Sequence, residues 1–202
     1  MNTKPTSWAF LTTGWGKNAK DIIDHCFSVK KCPFKISLLI YAQDDCGAAE
    51  SAKKYGLDAV QIKRTDYENA MQYQEQIINV LKRKTIDYIF LLNYKYLIRK
   101  DLLNAYPERI LNVHPSLFPS FLGTKTAIQD ALDYGVKITG ITTHVIDDEY
   151  DKGNILLQKA IRIRKNDTFD SLYPQFSKKG KKLILKTMRL IEKDYKNKRN
   201  SF

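Results

Sequence analysis

The feature that most constrains this chain is the alternation of short apolar runs with longer amphipathic stretches. Trp8–Thr13, Ile36–Tyr41, Ala59–Ile62, Asp87–Leu92 and Arg109–Val113 are short, apolar and rich in β-branched and aromatic residues. Runs of that length and composition are strands covered on both faces. Helical patterns lie between them, over residues 17–29, 46–55 and 66–84, with a further short helix before Arg109. Gly56 stands where the second helix needs a C-cap, and Asp66 where the third needs an N-cap. Strand and helix in strict succession predict an α/β fold, a Rossmann-like, mostly parallel twisted sheet flanked by helices.

After Pro115 the pattern changes. A loop with Pro115, Pro119 and Gly123 leads to a helix over 125–134, and two apolar strands, Ile138–Ile146 and Ile155–Ile163, flank an acidic loop. A long amphipathic helix closes the chain over 168–195, with Phe169, Leu172, Phe176, Leu183, Ile184, Met188 and Ile191 as its apolar stripe. Residues 196–202 read as a frayed end. The 202 residues suffice for one domain spanning 1–202. No stretch approaches the roughly 20 apolar residues of a membrane span, and Trp8–Leu11 is too short for a signal-peptide core. No membrane partner is therefore expected, and the cytoplasm is the default compartment. Cys26, Cys32 and Cys46 form neither a CxxC nor a Cys/His cluster, so reduced thiols are expected rather than a zinc site or a disulfide framework. The net charge of +12 points toward anionic partners without choosing among them.

Chemistry-bearing residues gather in two places. Asn112 and His114 stand two apart at a strand end, so their side chains share one face. Pro115 stops the strand and leaves both at the carboxyl edge of the sheet, where open α/β folds bind ligands. An amide beside an imidazole can donate to one developing oxyanion. Downstream, Gly140–Gly153 is a strand entering the acidic loop Asp147, Asp148, Glu149, Asp151, whose carboxylates could hold His114 protonated. Taken alone, an Asn-x-His at a strand end is also a structural arrangement, and an acidic loop is also a solvated or cation-binding one. His144 reads as a satisfied buried histidine. Near the N-terminus, Gly14-Trp-Gly16-Lys17-Asn18 places a Gly-rich turn between strand and helix, where backbone N–H groups can cradle a phosphate.

The run Leu111-Asn-Val-His-Pro-Ser-Leu-Phe-Pro-Ser-Phe-Leu-Gly123, followed by Gly135–Gln158, resembles the formyltransferase family in motif, order and spacing. The resemblance implies a single formyltransferase catalytic domain that takes 10-formyltetrahydrofolate as co-substrate and needs no metal. It assigns catalysis to Asn112, His114 and Asp151, and folate contacts to Tyr96, Leu97, Ile98, Val145, Ile146, Asp147 and Asp148. Gly14, Gly16, Lys17, Asn18, Pro115 and Ser116 would bind the acceptor, with Ser116 fixing its loop. The implied partners are folate and a small acceptor amine, with a homodimer left open.

The acceptor is less constrained. Lys17 stands where the purine-pathway members carry a hydroxyl residue, Leu92–Ile98 replaces their Ala-Gly-Phe-Met-Arg-Ile-Leu, and Gly180 falls near their acidic ribose contact. The helix start Asp167–Tyr173 is more similar to the sugar and tRNA branches. With 202 residues, neither the C-terminal barrel of the tRNA branch nor the N-terminal regulatory domain of the deformylases is expected. These features favour a nucleotide-linked amino sugar as acceptor, with glycinamide ribonucleotide as the alternative. The seven lysines from Lys178 to Lys196 read as the solvated face of the last helix, and a non-catalytic nucleic-acid-binding module is the reading from another class.

Overall fold

The structure, a computed structural model, describes residues 4–147 and 153–200, without the side chains of 198–200. Its strands are β1 (Ser7–Thr12), β2 (Lys35–Tyr41), β3 (Ala59–Gln61), β4 (Tyr88–Leu91), β5 (Ile110–His114), β6 (Ile138–Val145) and β7 (Ile155–Arg162). Its helices are α1 (Lys17–Ser28), α2 (Gly47–Tyr55), α3 (Ala70–Arg83), α4 (Lys100–Ala105), α5 (Ala127–Tyr134) and α6 (Phe169–Asn200). The strands form one sheet in the order β3-β2-β1-β4-β5-β6-β7. The first five run parallel, whereas β5–β6 and β6–β7 pair antiparallel. The chain winds outward in opposite directions from β1 and β4, so the sheet has its topological switch point between those two strands.

The apolar runs arise from burial on both faces. Trp8 and Phe10 point into one layer with Ile22, Ile23, Ala48 and Met188, from α1, α2 and α6. Ala9 and Leu11 point into the other with Tyr73, Ile77, Leu81 and Leu102, from α3 and α4. A smaller cluster, including Ile141, Ile161, Leu172 and Phe176, seats α5 and the start of α6 on β6 and β7. Each fully buried side chain of this size contributes about 1.5–3 kcal/mol.

Three boundaries differ from the sequence reading. Asp66 ends a short 3₁₀ turn (Arg64–Asp66) instead of capping α3. The cap is Asn69, whose extended backbone lets its side chain accept from the amides of Met71 and Gln72, both at 3.0 Å. The C-terminal helix continues to Asn200, past the frayed end expected from residue 196. Phe169, assigned to the apolar stripe, is exposed and stacks on Tyr173 at 5.6 Å, because it opens the helix one turn before the buried Leu172–Phe176 contact.

The far end of α6 is fixed to β1 by a buried carboxylate. Glu192 accepts from the Thr6 amide at 2.9 Å and from the Thr6 hydroxyl, while Lys196 lies 3.1 Å from its other oxygen. The Trp8 indole donates to Thr6 Oγ1 at 2.8 Å, which extends the network into the core. Glu192→Ala strands the Thr6 amide in a buried setting and is expected to cost about 3 kcal/mol. Urea denaturation measures this; an unchanged midpoint would show that the network contributes nothing.

Candidate active site

Strand register determines which residues meet. Leu11, Leu91 and Asn112 are neighbours on β1, β4 and β5, so β5 lies about 10 Å across the sheet from β1 at this level. The carboxyl ends of the three strands therefore open onto one edge, at the switch point. Across the other side of β5, Asn112 pairs with His144 of β6 and His114 with Thr142. All four side chains share one face, because both pairs are two residues apart on their strands.

The Asn112 amide nitrogen lies 3.2 Å from His144 Nε2. His144 is buried, and its Nδ1 lies 3.0 Å from the Val145 carbonyl. A carbonyl only accepts, so His144 carries its proton on Nδ1, and its Nε2 accepts from Asn112. This fixes the amide orientation of Asn112 and leaves its second N–H as a donor on the same face. His144 is thus a satisfied buried histidine, as its sequence position suggested. It also aims the neighbouring amide.

His114 is buried too, and its Nε2 lies 3.0 Å from the Phe121 carbonyl. By the same argument Nε2 carries a proton, and proton gain or loss that keeps this bond takes place at Nδ1. The Phe118 ring sits between the two imidazoles, 5.3 Å from His114 and 4.9 Å from His144. A hub at Thr142 holds the loop that carries Phe118 and Phe121. Thr142 Oγ1 donates to the Ser116 carbonyl at 2.7 Å and accepts from the Phe118 amide at 3.2 Å and from Gln158 at 3.1 Å. Ser116, expected to fix this loop, is fully buried and donates to the Ser120 carbonyl at 2.7 Å.

A cavity of about 450 Å³ lies where β6 ends at Val145, one residue beyond His144. Of the expected folate contacts, Val145, Ile146 and Asp147 line it, joined by Leu103 and Asn104 of α4. Gly153 completes the wall, and a Cβ there would sit 1.8 Å from the Val145 carbonyl, so no larger residue fits. Tyr96, Leu97 and Ile98 do not line this cavity. Ile98 is turned into the core beside Leu102, Tyr96 leans on Tyr73 and Tyr94, and the Leu97 carbonyl accepts from Gln74 at 2.6 Å. Asp148 and the expected catalytic Asp151 lie outside the described residues. Among the described residues, no group of three or more His, Cys, Asp or Glu could hold a metal ion.

The Gly-rich turn sits at the same edge. Gly16 adopts φ 79°, a left-handed conformation that favours glycine, and precedes α1. Thr13 N donates to the Asn93 carbonyl at 3.2 Å, and Asn18 N to Asn93 Oδ1 at 3.3 Å. Asn93 is itself left-handed, at φ 63°, and ties the end of β4 to the turn. Lys17, expected to face a phosphate, instead reaches both Asp21 oxygens at 2.6 Å. An exposed i,i+4 pair of this kind contributes only about 0.3–0.5 kcal/mol, too little to prevent Lys17 from turning to an anion. Pro115 and Ser116 belong to the loop after β5.

Residues 7–188 match the model of the formyl transferase family. The chain belongs to that family. It is 32% identical over 171 residues to the phosphoribosylglycinamide formyltransferase of Bacillus subtilis, covering 85% of this chain and 87% of that protein. It is 31% identical over 188 residues to the chloroplastic phosphoribosylglycinamide formyltransferase of Arabidopsis thaliana, covering 91% of this chain but 64% of that longer protein. Among solved structures, glycinamide ribonucleotide transformylase 1 from Symbiobacterium toebii superposes with a TM-score of 0.88 at 29% identity, over 94% of this chain and 89% of that one. Phosphoribosylglycinamide formyltransferase from Bacillus halodurans gives 0.86 at 31%, over 92% and 95%. No helix among the described residues of this formyl transferase is long and apolar enough to cross a membrane.

Sequence reasoning missed the Phe118 wedge and the Phe121 carbonyl, because a loop's path is set by tertiary partners such as Thr142 and Gln158. The Lys17–Asp21 pair was signalled by its i,i+4 spacing. Thr142→Val keeps the shape of the side chain but deletes the hub, and is expected to cost about 2 kcal/mol. Calorimetric unfolding together with turnover measures this; a variant with wild-type stability and rate would show that the hub does not hold the loop.

Proposed function

We propose that this formyl transferase moves the formyl group of 10-formyltetrahydrofolate to the amine of glycinamide ribonucleotide. The observation that carries the reading is the Asn112–His144 pair on the face of β5 that also carries His114; the segment that follows His144, Val145–Asp147, lines a cavity suited to a folate head group. A pterin is flat, with polar edges. Leu103, Val145 and Ile146 supply apolar walls, and Asn104 and Asp147 supply polar groups. A cavity of about 450 Å³ is of the size that small-molecule ligands occupy.

In this reading the amine attacks the formyl carbon, and the carbonyl oxygen gains charge. Asn112 donates its second amide hydrogen to that oxygen, and His114 donates from Nδ1 when protonated. Asp151 is assigned to hold His114 in its charged form and to help carry the proton from the attacking amine toward the leaving nitrogen of the folate. The Gly14–Asn18 turn, across the sheet from β5, is assigned to the acceptor's phosphate. The separation of about 10 Å between β1 and β5 suits a phosphate linked through a sugar to an amine.

The relatives favour glycinamide ribonucleotide over the nucleotide-linked amino sugar that the sequence departures suggested. Two of those departures carry less weight in the folded chain. Lys17 is held by a weak surface pair, and Asn93 occupies a left-handed position that glycine would also suit.

Asn112→Ala should lower turnover by about 100- to 1000-fold, the loss typical of one oxyanion donor. Single-turnover kinetics checks this, and an unchanged rate would remove Asn112 from the mechanism. Formyl transfer assayed with glycinamide ribonucleotide and with amino-sugar nucleotides should favour the ribonucleotide. Preference for an amino sugar would restore that acceptor.

A further inference from the structure

Four cations gather at one end of the β6–β7 pair. β6 opens at Ile138 and β7 closes at Arg162, and these two residues are partners in register. The Ile163 amide donates to the Lys137 carbonyl at 2.9 Å, so the chain entering β6 stays paired with the chain leaving β7. Beyond it the turn is fixed by Asp167, whose carboxylate accepts from the Arg164 amide at 2.8 Å and from the Ser171 hydroxyl at 2.9 Å. Pairing and turn together set Lys137, Arg162, Arg164 and Lys165 round one cavity of about 660 Å³, with the buried Ile163 between them.

All four cationic residues are exposed, and among the described residues none of them has an ion-pair partner. Several lysines elsewhere hold a carboxylate, as in Lys17–Asp21, Lys20–Asp24, Lys63–Asp44 and Lys84–Asp58. Like charges crowded without a counter-charge repel one another, and an anion in the cavity relieves that repulsion. A single phosphate carries roughly 1.5–2 negative charges, which would leave about half of this wall uncompensated. Charge balance therefore calls for several linked phosphates. Two guanidinium forks can each take a pair of phosphate oxygens, and two lysines add point charges. A nucleic-acid strand fits less well, because it needs a basic track with aromatic platforms. None of the described residues that line this cavity is aromatic.

The cavity stands apart from the groups assigned to formyl transfer. Thr142 is the partner of His114, and Ile138 lies about 13 Å further along β6. Strands β4, β5 and β6 separate β7 from β1, so the Gly14–Asn18 turn is about 19 Å away across the sheet. We propose that Lys137, Arg162, Arg164 and Lys165 form a second anion site that binds a chain of linked phosphates, free as inorganic triphosphate or carried by a nucleoside triphosphate. The inference stands whichever acceptor the enzyme uses.

Isothermal titration calorimetry of the full chain tests this, with inorganic triphosphate, ATP and orthophosphate as probes. Triphosphate should bind saturably, about tenfold or more tighter than orthophosphate, and more weakly as salt rises. The double variant Arg162→Ala/Arg164→Ala should weaken triphosphate binding about tenfold or more, and Lys137→Ala, on the other strand, about threefold or more. Thermal midpoint and formyl-transfer turnover should stay at wild-type values in both, since these side chains are exposed. Lys17→Ala should leave triphosphate binding unchanged, which separates the cavity from the turn assigned to the acceptor's phosphate. ATP binding tighter than inorganic triphosphate identifies the nucleotide as the source, and equal or weaker binding identifies the free chain. The proposal is overturned if neither triphosphate nor ATP binds saturably, if the double variant keeps wild-type affinity, or if Lys17→Ala abolishes binding.

Discussion

The site depends on the antiparallel pairing of β5 with β6. In a wholly parallel sheet, the strand beside β5 would run toward the same edge and carry its own loop there. Here β6 returns along β5 and sets His144 opposite Asn112 and Thr142 opposite His114. One pair fixes the direction of an amide. The other places a hydroxyl hub beneath the loop that holds an imidazole. Slipping this register by one residue would turn His144 and Thr142 to the other face and disband both arrangements.

The electrostatic consequence is local. A chain of net charge +12 supplies a general attraction for anions, but the donors that matter are neutral or switchable groups held within hydrogen-bond distance of fixed partners. His144 spends both ring nitrogens on orientation, whereas His114 spends Nε2 and keeps its proton chemistry at Nδ1. Two histidines on one face thus take different roles, because one faces an amide and the other a loop carbonyl.

Much of this was legible in the sequence, for identifiable reasons. The inner parallel strands showed as apolar runs because residues such as Trp8 and Ala9 are buried on opposite faces, whereas the edge strand β3 is largely exposed. The shared face of Asn112 and His114 was legible because strand periodicity sets it, and their place at the strand end because Pro115 stops β5. The α3 cap was misplaced because Asp66 and Asn69 are both good caps, and only the intervening 3₁₀ turn decides between them. Phe169 was placed in the apolar stripe because periodicity cannot tell where a helix first meets its partner. The side chains of Tyr96 and Ile98 were assigned to the folate wall by resemblance. Packing instead commits them to an aromatic cluster and to the core.

The claim on which the mechanism rests is that the two imidazoles are fixed in different protonation patterns by their partners. Nitrogen NMR of the chain with labelled histidines tests it most directly. The account predicts that His144 is neutral and protonated on Nδ1, with Nε2 shifted as a hydrogen-bond acceptor, and that His114 carries a proton on Nε2. A His144 protonated on Nε2, or a His114 bare at Nε2, would contradict it.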